Sequence, residues 1–198
     1  KDSHEASGST YVSLRFLKRF YRDAYARLRA VLRPETVIVF HDGFRLLRWG
    51  GWFRRAGMRN VMLDTHQYLI AMEDPLFSGP ARRLYRMLVG ASGIAIRSAA
   101  RRIPVLVGEW CVENQWALHS QNRSAAYRQV SRLQRAAWDV SAGQIYWSYQ
   151  LARSAKPGSG EGKPPRDPRN GGNLEAWDLT RVWRHGWIRA DTSHDDMP

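Results

Sequence analysis

Glu109 has the sequence context most typical of a catalytic carboxylate in this chain. It follows the apolar run at 103–107 and stands between Gly108 and Trp110. A carboxylate at the end of a buried strand can serve as nucleophile or acid/base in glycoside hydrolysis. The same residue could equally cap the next helix or pair with one of the many arginines. The position alone leaves both interpretations open.

His66 and Tyr68 follow a second strand-like run, at 61–63. Alternate residues of a strand share a face, so we predict that these two side chains point the same way. Such a pair could hydrogen-bond a sugar or hold a nucleophilic carboxylate, or it could be a structural histidine beside a rim tyrosine. Asp64 lies one step deeper on that face, and we expect it to be a buried hydrogen-bond partner.

Metal chemistry has little support in the sequence. A site made of Asp64, His66 and His41 is conceivable, but no ligand spacing typical of zinc is present. The single cysteine, Cys111, excludes an internal disulfide and a cysteine-based zinc site. We predict neither a metal nor a cofactor.

Aromatic and polar residues follow the two remaining strand-like runs. Trp147 comes after the run at 143–146 and could offer a flat apolar face to a sugar, or could be a core or rim residue. His41 and Asp42 could line the site or simply end their strand, and Phe44 could form a hydrophobic wall. We take Asp42, Phe44 and Trp147, with His66 and Tyr68, as candidate substrate-binding residues.

Strands and helices that would position these residues alternate along the chain. Apolar runs without polar alternation predict buried parallel strands, and residues with a three-to-four spacing predict amphipathic helices. Parallel α/β architecture follows from that alternation. The predicted strands are 36–40, 61–63, 103–107 and 143–146; the predicted helices are 11–32, 44–56, 81–88, 94–101, 124–140 and 174–183; long loops are predicted around 75–80 and at 155–173, with a polar tail at 189–198.

Each predicted strand is apolar until its carboxyl end, where histidine, aspartate, glutamate, tryptophan or serine appears. Active sites of eight-stranded α/β barrels and of open doubly wound sheets are built at that edge. No glycine-rich phosphate loop follows any of the strands, which disfavours a nucleotide-binding sheet.

Composition indicates one packed domain over the 198 residues. Aromatic residues make up 12% of the chain, with nine tryptophans, which argues against disorder. The formal net charge of +13 raises the possibility of a polyanionic partner, but lysine supplies only four of the 31 basic residues and the arginines are scattered. We expect a solvated arginine-rich surface rather than a nucleic-acid interface.

The sequence predicts no membrane span, because its longest apolar stretch, at 87–96, is far shorter than the roughly 20 residues required. No signal-peptide pattern is visible, and the chain starts with Lys1 rather than methionine. We therefore expect the native start to lie upstream, and cellular localisation stays open.

Four ordered strand-end motifs resemble the glycoside hydrolases of family 5, in the exo-β-1,3-glucanase branch of the retaining (β/α)8 clan. The matching pieces span about residues 20–149. They are Phe20-Tyr21-Arg22-Asp23-Ala24-Tyr25 with Leu28-Arg29, His41-Asp42-Gly43-Phe44, Leu63-Asp64-Thr65-His66-Gln67-Tyr68 after Asn60-Val61, Gly108-Glu109-Trp110, and Tyr146-Trp147-Ser148-Tyr149.

This resemblance implies a TIM-barrel hydrolase of β-glucans or β-glucosides. It makes Glu109 the nucleophile on the seventh strand, His66 and Tyr68 its sixth-strand neighbours, and Trp147 the eighth-strand platform under the sugar. The family's acid/base glutamate lies in an Asn-Glu-Pro motif that is absent here. We therefore expect residues 1–198 to be a single domain covering strands five to eight, with the N-terminal half of the barrel as partner. The alternative is a non-catalytic carbohydrate-binding or interaction module.

Overall fold

A computed structural model describes residues 12–69, 81–151 and 174–189 of the chain. Its helices and strands alternate along most of these ranges. The elements are α1 (Leu14–Arg29), β1 (Ile38–His41), a 3-10 helix (Leu46–Trp49), α2 (Trp52–Arg55), β2 (Val61–Gln67), α3 (Ala81–Ala100), β3 (Val105–Trp110), α4 (Gln115–His119), α5 (Arg123–Trp138), β4 (Gly143–Tyr146), a second 3-10 helix (Leu174–Trp177) and α6 (Leu179–Arg184).

The four strands form one parallel sheet in the order β1-β2-β3-β4. This confirms the predicted α/β class with a parallel sheet. Sequential order without reversal is compatible with part of a closed α/β barrel, whereas a doubly wound sheet changes direction at a switch point. Ile38 is in register with Val61, and Leu63 with Val105, so the carboxyl ends of the strands come to one edge.

The two faces of the sheet have different environments. Ile38, Phe40, Leu63, Val105 and Val107 point to one face and are at most 5% exposed. These residues belong to the hydrophobic core, together with side chains from the helices. The alternate residues point to the opposite face, where Val39 and Ile145 are each about half exposed, at 48% and 51%. Most of the candidate site residues lie on this second, open face, whereas Asp42 is buried.

Aromatic packing fixes the position of β1. The hydroxyl of Tyr21, on α1, donates a hydrogen bond of 2.7 Å to the main-chain oxygen of His41. The Tyr21 ring packs on Phe40 and on Trp49, whose indole N–H donates to the main-chain oxygen of Asp42 at 2.7 Å. These contacts tie down the backbone at which β1 ends.

The prediction of two helices at 81–88 and 94–101 was wrong, because α3 is continuous from Ala81 to Ala100. Two glycines lie within this helix, Gly93 at a contact with another helix and Gly90 on the exposed side. A Cβ on Gly93 would lie 2.9 Å from the main-chain oxygen of Ala137 on α5, so the absence of a side chain permits the close approach of α3 and α5. A Cβ on Gly90 would meet nothing within 4 Å.

Helix ends also differ from the predictions, for identifiable reasons. The predicted helix 11–32 is shorter, since Ser13 caps it by accepting a hydrogen bond from the Phe16 amide and Arg29 binds the carbonyls of Arg33 and Thr36. The predicted helix 174–183 is divided at Asp178, whose side chain caps α6.

The boundaries of several other helices and strands also differ from the predicted ones. The predicted helix 44–56 consists of a 3-10 turn and the short α2, and the helix predicted at 124–140 is α5. The prediction missed α4 and placed the ends of β2 and β3 too early. The predicted loops at 75–80 and 155–173, and nearly all of the predicted tail, lie outside the described residues. Across the described ranges, no helix is long and apolar enough to cross a bilayer.

Replacement of Gly93 and Gly90 by alanine tests the helix contact. Gly90→Ala should raise the free energy of unfolding by up to about 1 kcal/mol, because alanine removes the entropic disadvantage of glycine in a helix. Gly93→Ala should lose that gain, since its Cβ meets the backbone of Ala137. Urea denaturation measures both; equal stabilisation by the two variants would contradict the packing role of Gly93.

Candidate active site

The carboxyl edge of the sheet brings together most of the candidate residues. His41 ends β1, His66 lies near the end of β2 with Tyr68 just beyond it, and Glu109 lies near the end of β3. Trp147 directly follows β4, and its main-chain N–H donates to the oxygen of Trp110 at 2.8 Å. The predicted convergence at one edge is therefore present in the structure.

An extra residue in β3 sets the direction of Glu109. Thr65 is in register with Val107, but the next residue of β2, His66, is in register with Glu109 instead of Gly108. β3 also has one residue more than β4 over the same stretch. Strict alternation from Val107 would send Glu109 to the helix-covered face. The bulge at Gly108 turns it to the open face beside His66.

Two side chains meet on one oxygen of Glu109, Tyr68 through a hydrogen bond and His66 through an ion pair. The Tyr68 hydroxyl donates to Oε2 at 2.7 Å, and Nδ1 of His66 lies 3.2 Å from the same oxygen. Burial and the hydrogen bond to Glu109 both raise the pKa of Tyr68, so the phenol keeps its proton and remains a donor. The carboxylate of Glu109 is 24% exposed and therefore accessible from the open face.

His66 lies between two carboxylates. Its Nδ1 faces Glu109 and its Nε2 is 3.1 Å from Oδ2 of Asp64. Burial lowers the pKa of His66, but the hydrogen bond to Asp64 and the charges of Asp64 and Glu109 outweigh it, so the pKa is raised above the ordinary value. The predicted role of Asp64 as a hydrogen-bond partner on this face agrees with the contact, although Asp64 is only partly buried.

His41 has the opposite electrostatic character. Its Nδ1 accepts a hydrogen bond from the Gly43 amide at 3.1 Å, which requires this nitrogen to be unprotonated. Burial lowers the pKa of His41, and the nearby charge of His66 adds to that shift. The His41 and His66 rings lie 4.3 Å apart, and the edge of Phe44 contacts His41 at 5.0 Å between centroids. Phe44 itself is 54% exposed.

Asp42 lies below the surface of the site. Its carboxylate accepts hydrogen bonds from the Phe44 amide at 2.7 Å and the Thr65 hydroxyl at 2.8 Å, and the residue is 1% exposed. Burial raises its pKa, against the effect of these hydrogen bonds. The contacts support a role in fixing the turn that carries Phe44. Direct contact between Asp42 and substrate stays a prediction without a supporting contact.

A second tryptophan, Trp177, lies at this edge of the sheet, although the sequence analysis did not select it as a site residue. Trp177 stacks on Tyr68, with ring centroids 5.1 Å apart and planes 26° from parallel. Its main-chain oxygen accepts a hydrogen bond from Ser148, and Asp178 binds the amide of Leu151. Trp177 does not follow a predicted strand, which is why the sequence pattern did not select it. The helix-capping residue Asp178 beside it is a signal that could have indicated an ordered turn. Trp147 is half exposed.

Metal ligation finds no support within the described ranges, where no cluster of three or more histidine, cysteine, aspartate or glutamate residues could hold an ion. The conceivable set of His41, Asp64 and His66 is instead arranged as two tilted rings in contact, His41 and His66, and an ion pair between His66 and Asp64.

A parallel α/β sheet with a hydrogen-bonded carboxylate at its carboxyl edge is typical of α/β enzymes.

No protein-family profile matches the chain. The chain is 33% identical over 66 residues to a glucan 1,3-beta-glucosidase of Blumeria graminis, which covers 32% of this chain and 15% of that protein. It is also 33% identical over 97 residues to a probable glucan 1,3-beta-glucosidase A of Emericella nidulans, covering 48% and 22%.

These matches relate the chain distantly to glycosidases and suggest a glycoside hydrolase-like function. The matched segments span less than a quarter of the length of either relative.

The pH dependence of stability tests the environment of His66. Because the folded-state pKa of His66 is raised, its stabilising contribution is fully present below the ordinary pKa of about 6.5 and is lost as pH rises through the folded value. The difference in unfolding free energy between wild type and His66→Gln, measured by urea denaturation, should therefore shrink on going from acid to alkaline pH. A difference that grows with pH would contradict the ion-pair geometry.

Proposed function

We propose that the chain is the nucleophile-bearing part of a retaining β-glycoside hydrolase that acts on β-glucans or β-glucosides. The observation that carries this proposal is the carboxylate of Glu109, turned to the open face and held by Tyr68 and His66. The distant relation to glucan 1,3-beta-glucosidases supports the substrate class.

In the proposed mechanism Glu109 attacks the anomeric carbon. Tyr68 and His66 bind Oε2, so Oε1 is the oxygen that forms the bond to the sugar. An acid/base glutamate protonates the departing oxygen and later activates the water that releases the glycosyl group with net retention. Retention requires the two carboxyl groups to lie about 5–5.5 Å apart.

The acid/base is proposed to come from outside the strands described here. Asp42 is buried and hydrogen-bonded, and Asp64 is bound to His66, so neither is placed to protonate a leaving group. We further propose that the sheet forms strands five to eight of a (β/α)8 barrel. The sequential parallel order and the half-exposed Val39 and Ile145 on the open face support this.

Trp147 and Phe44 are proposed to bind the sugar. Trp147 presents a half-exposed indole beside the end of β4, and sugars pack their C–H faces on such rings. Phe44 offers an exposed apolar wall next to His41.

A non-catalytic carbohydrate-binding module is the second candidate. It is favoured by the engagement of Asp42 and Asp64 in other contacts, which leaves Glu109 without a partner carboxylate among these three. The two candidates share the sugar platform and differ only in whether Glu109 forms a covalent bond.

Covalent labelling of Glu109 separates the two. A 2-deoxy-2-fluoro-β-glucosyl fluoride needs no acid catalyst, because fluoride leaves without protonation, and its C2 fluorine slows release of the glycosyl-enzyme. We expect a mass increase of one fluoroglucosyl unit on the peptide that contains Glu109. Glu109→Gln should reduce the labelling rate by at least about 10³-fold, whereas Glu35→Gln, at an exposed position, should label as wild type does. Sugar binding without labelling would favour the binding module.

Replacement of Trp147 tests the platform. Trp147→Ala should weaken binding of gluco-configured inhibitors by about 1–3 kcal/mol, because the stacking face is lost. Isothermal titration against wild type measures the change, with circular dichroism as the check on folding. Unchanged affinity would assign Trp147 a structural role.

A further inference from the structure

Asp64 has no part in the proposed mechanism, yet it makes a direct contact with the group that holds the nucleophile. Its Oδ2 lies 3.1 Å from Nε2 of His66, and Nδ1 of the same ring lies 3.2 Å from Oε2 of Glu109. The three side chains therefore form a continuous line from β2 to β3.

Both ring nitrogens of His66 face a carboxylate oxygen. A neutral imidazole has one N–H and can donate to only one of them, whereas an imidazolium has two N–H groups and can donate to both. The hydrogen bond to Asp64 and the ion pair with Glu109 are therefore both favourable at the same time only when His66 is positively charged.

Gly108 provides the space that Asp64 occupies. A Cβ at this position would overlap Oδ1 of Asp64 and lie 2.7 Å from its Cγ. Oδ1 is buried and has no hydrogen-bond partner among the described residues. A buried carboxylate oxygen without a partner is unfavourable for stability, so the Asp64 carboxylate is better explained by its contact with His66 than by a contribution to stability.

Groups from three strands face His66. Asp64 approaches from β2, Glu109 from β3, and His41 and Asp42 from the end of β1. His41 is neutral because its Nδ1 accepts the Gly43 amide. His66 is therefore the histidine of this pair that carries the positive charge.

We propose that Asp64 is a positioning residue that keeps His66 as an imidazolium, so that the charged ring holds the carboxylate of Glu109 in its orientation beside Tyr68. The inference rests on the proposed function, in which Glu109 is the nucleophile. Asp64 touches neither sugar nor the reacting atoms; it acts through His66, and no proton leaves His66 during the attack.

Nuclear magnetic resonance of the histidine rings tests the first step without any enzymatic activity. In Asp64→Asn the titration midpoint of His66 should fall below that of wild type, because an amide removes the negative charge and can donate to a neutral ring. Asp23→Asn removes an equal charge from the exposed side of α1 and should leave the midpoint unchanged. Equal His66 midpoints in Asp64→Asn and Asp23→Asn would overturn the inference.

Gly108→Ala supplies an independent variant in which the Asp64 carboxylate is retained but displaced. It should lower the His66 midpoint in the same direction, while Gly90→Ala, which meets no neighbouring atom, should not. An unchanged midpoint in folded Gly108→Ala would contradict the proposed role of the space at Gly108. Near-ultraviolet circular dichroism identifies any variant that fails to fold, and Asp64→Asn then carries the test alone.

The pH dependence of fluoroglucosyl labelling tests the second step. The wild-type rate should fall as pH rises through the His66 midpoint, and Asp64→Asn should shift that fall to lower pH and slow labelling by about tenfold to hundredfold. A slower rate with an unshifted pH profile would contradict the positioning role. Absence of labelling in wild type, with the histidine shift present, would overturn the proposed function and the role of Asp64 in it, but would support the Asp64–His66 link.

Discussion

The extra residue in β3 is the constraint on which the site depends. Side chains of a regular strand alternate, and Val107 is buried against the helices, so a regular β3 would bury Glu109 on the same side. Because of the bulge at Gly108, the side chain of Glu109 points to the open face instead of the helix-covered face, and it lies beside His66. The position also lacks room for a side chain, since a Cβ on Gly108 would displace the Asp64 carboxylate. One residue thus controls both the direction of Glu109 and the ion pair behind it.

Two adjacent histidines acquire different charges from their different partners. Nδ1 of His41 accepts a hydrogen bond from a backbone N–H, and the ring is largely buried; both favour the neutral ring. His66 receives two carboxylates, which favour the cation. With the rings 4.3 Å apart, the charge on His66 also disfavours a second charge on His41. The buried Asp42 accepts hydrogen bonds from Thr65 and from the Phe44 amide and so fixes the turn that follows His41. Neighbouring groups of one chemical type therefore acquire separate roles.

The sequence predicted which residues lie together at one edge of the sheet, but it did not predict how their side chains contact one another. Buried-type strands followed by polar residues predicted the sheet edge that collects His41, His66, Glu109 and Trp147, because parallel strands end on one side. The bulge was not predictable, since Gly108 is also compatible with regular alternation. The two helices predicted at 81–88 and 94–101 are one helix, in which Gly93 permits close packing against α5. Trp177 reaches Tyr68 through a turn fixed by Asp178, a contact made between distant segments.

The open face of the sheet bears on the strength of these interactions. Val39 and Ile145 lie on the same face as His66 and Glu109 and are about half exposed. Charged contacts are weak in water and strengthen as the effective dielectric constant falls. At the present exposure of about one fifth, the Asp64–His66–Glu109 line is partly screened. The additional strands of the proposed barrel would cover this face, remove water from the line and strengthen the contacts of His66 with both carboxylates. Closure of the fold and activation of the nucleophile would then depend on the same burial.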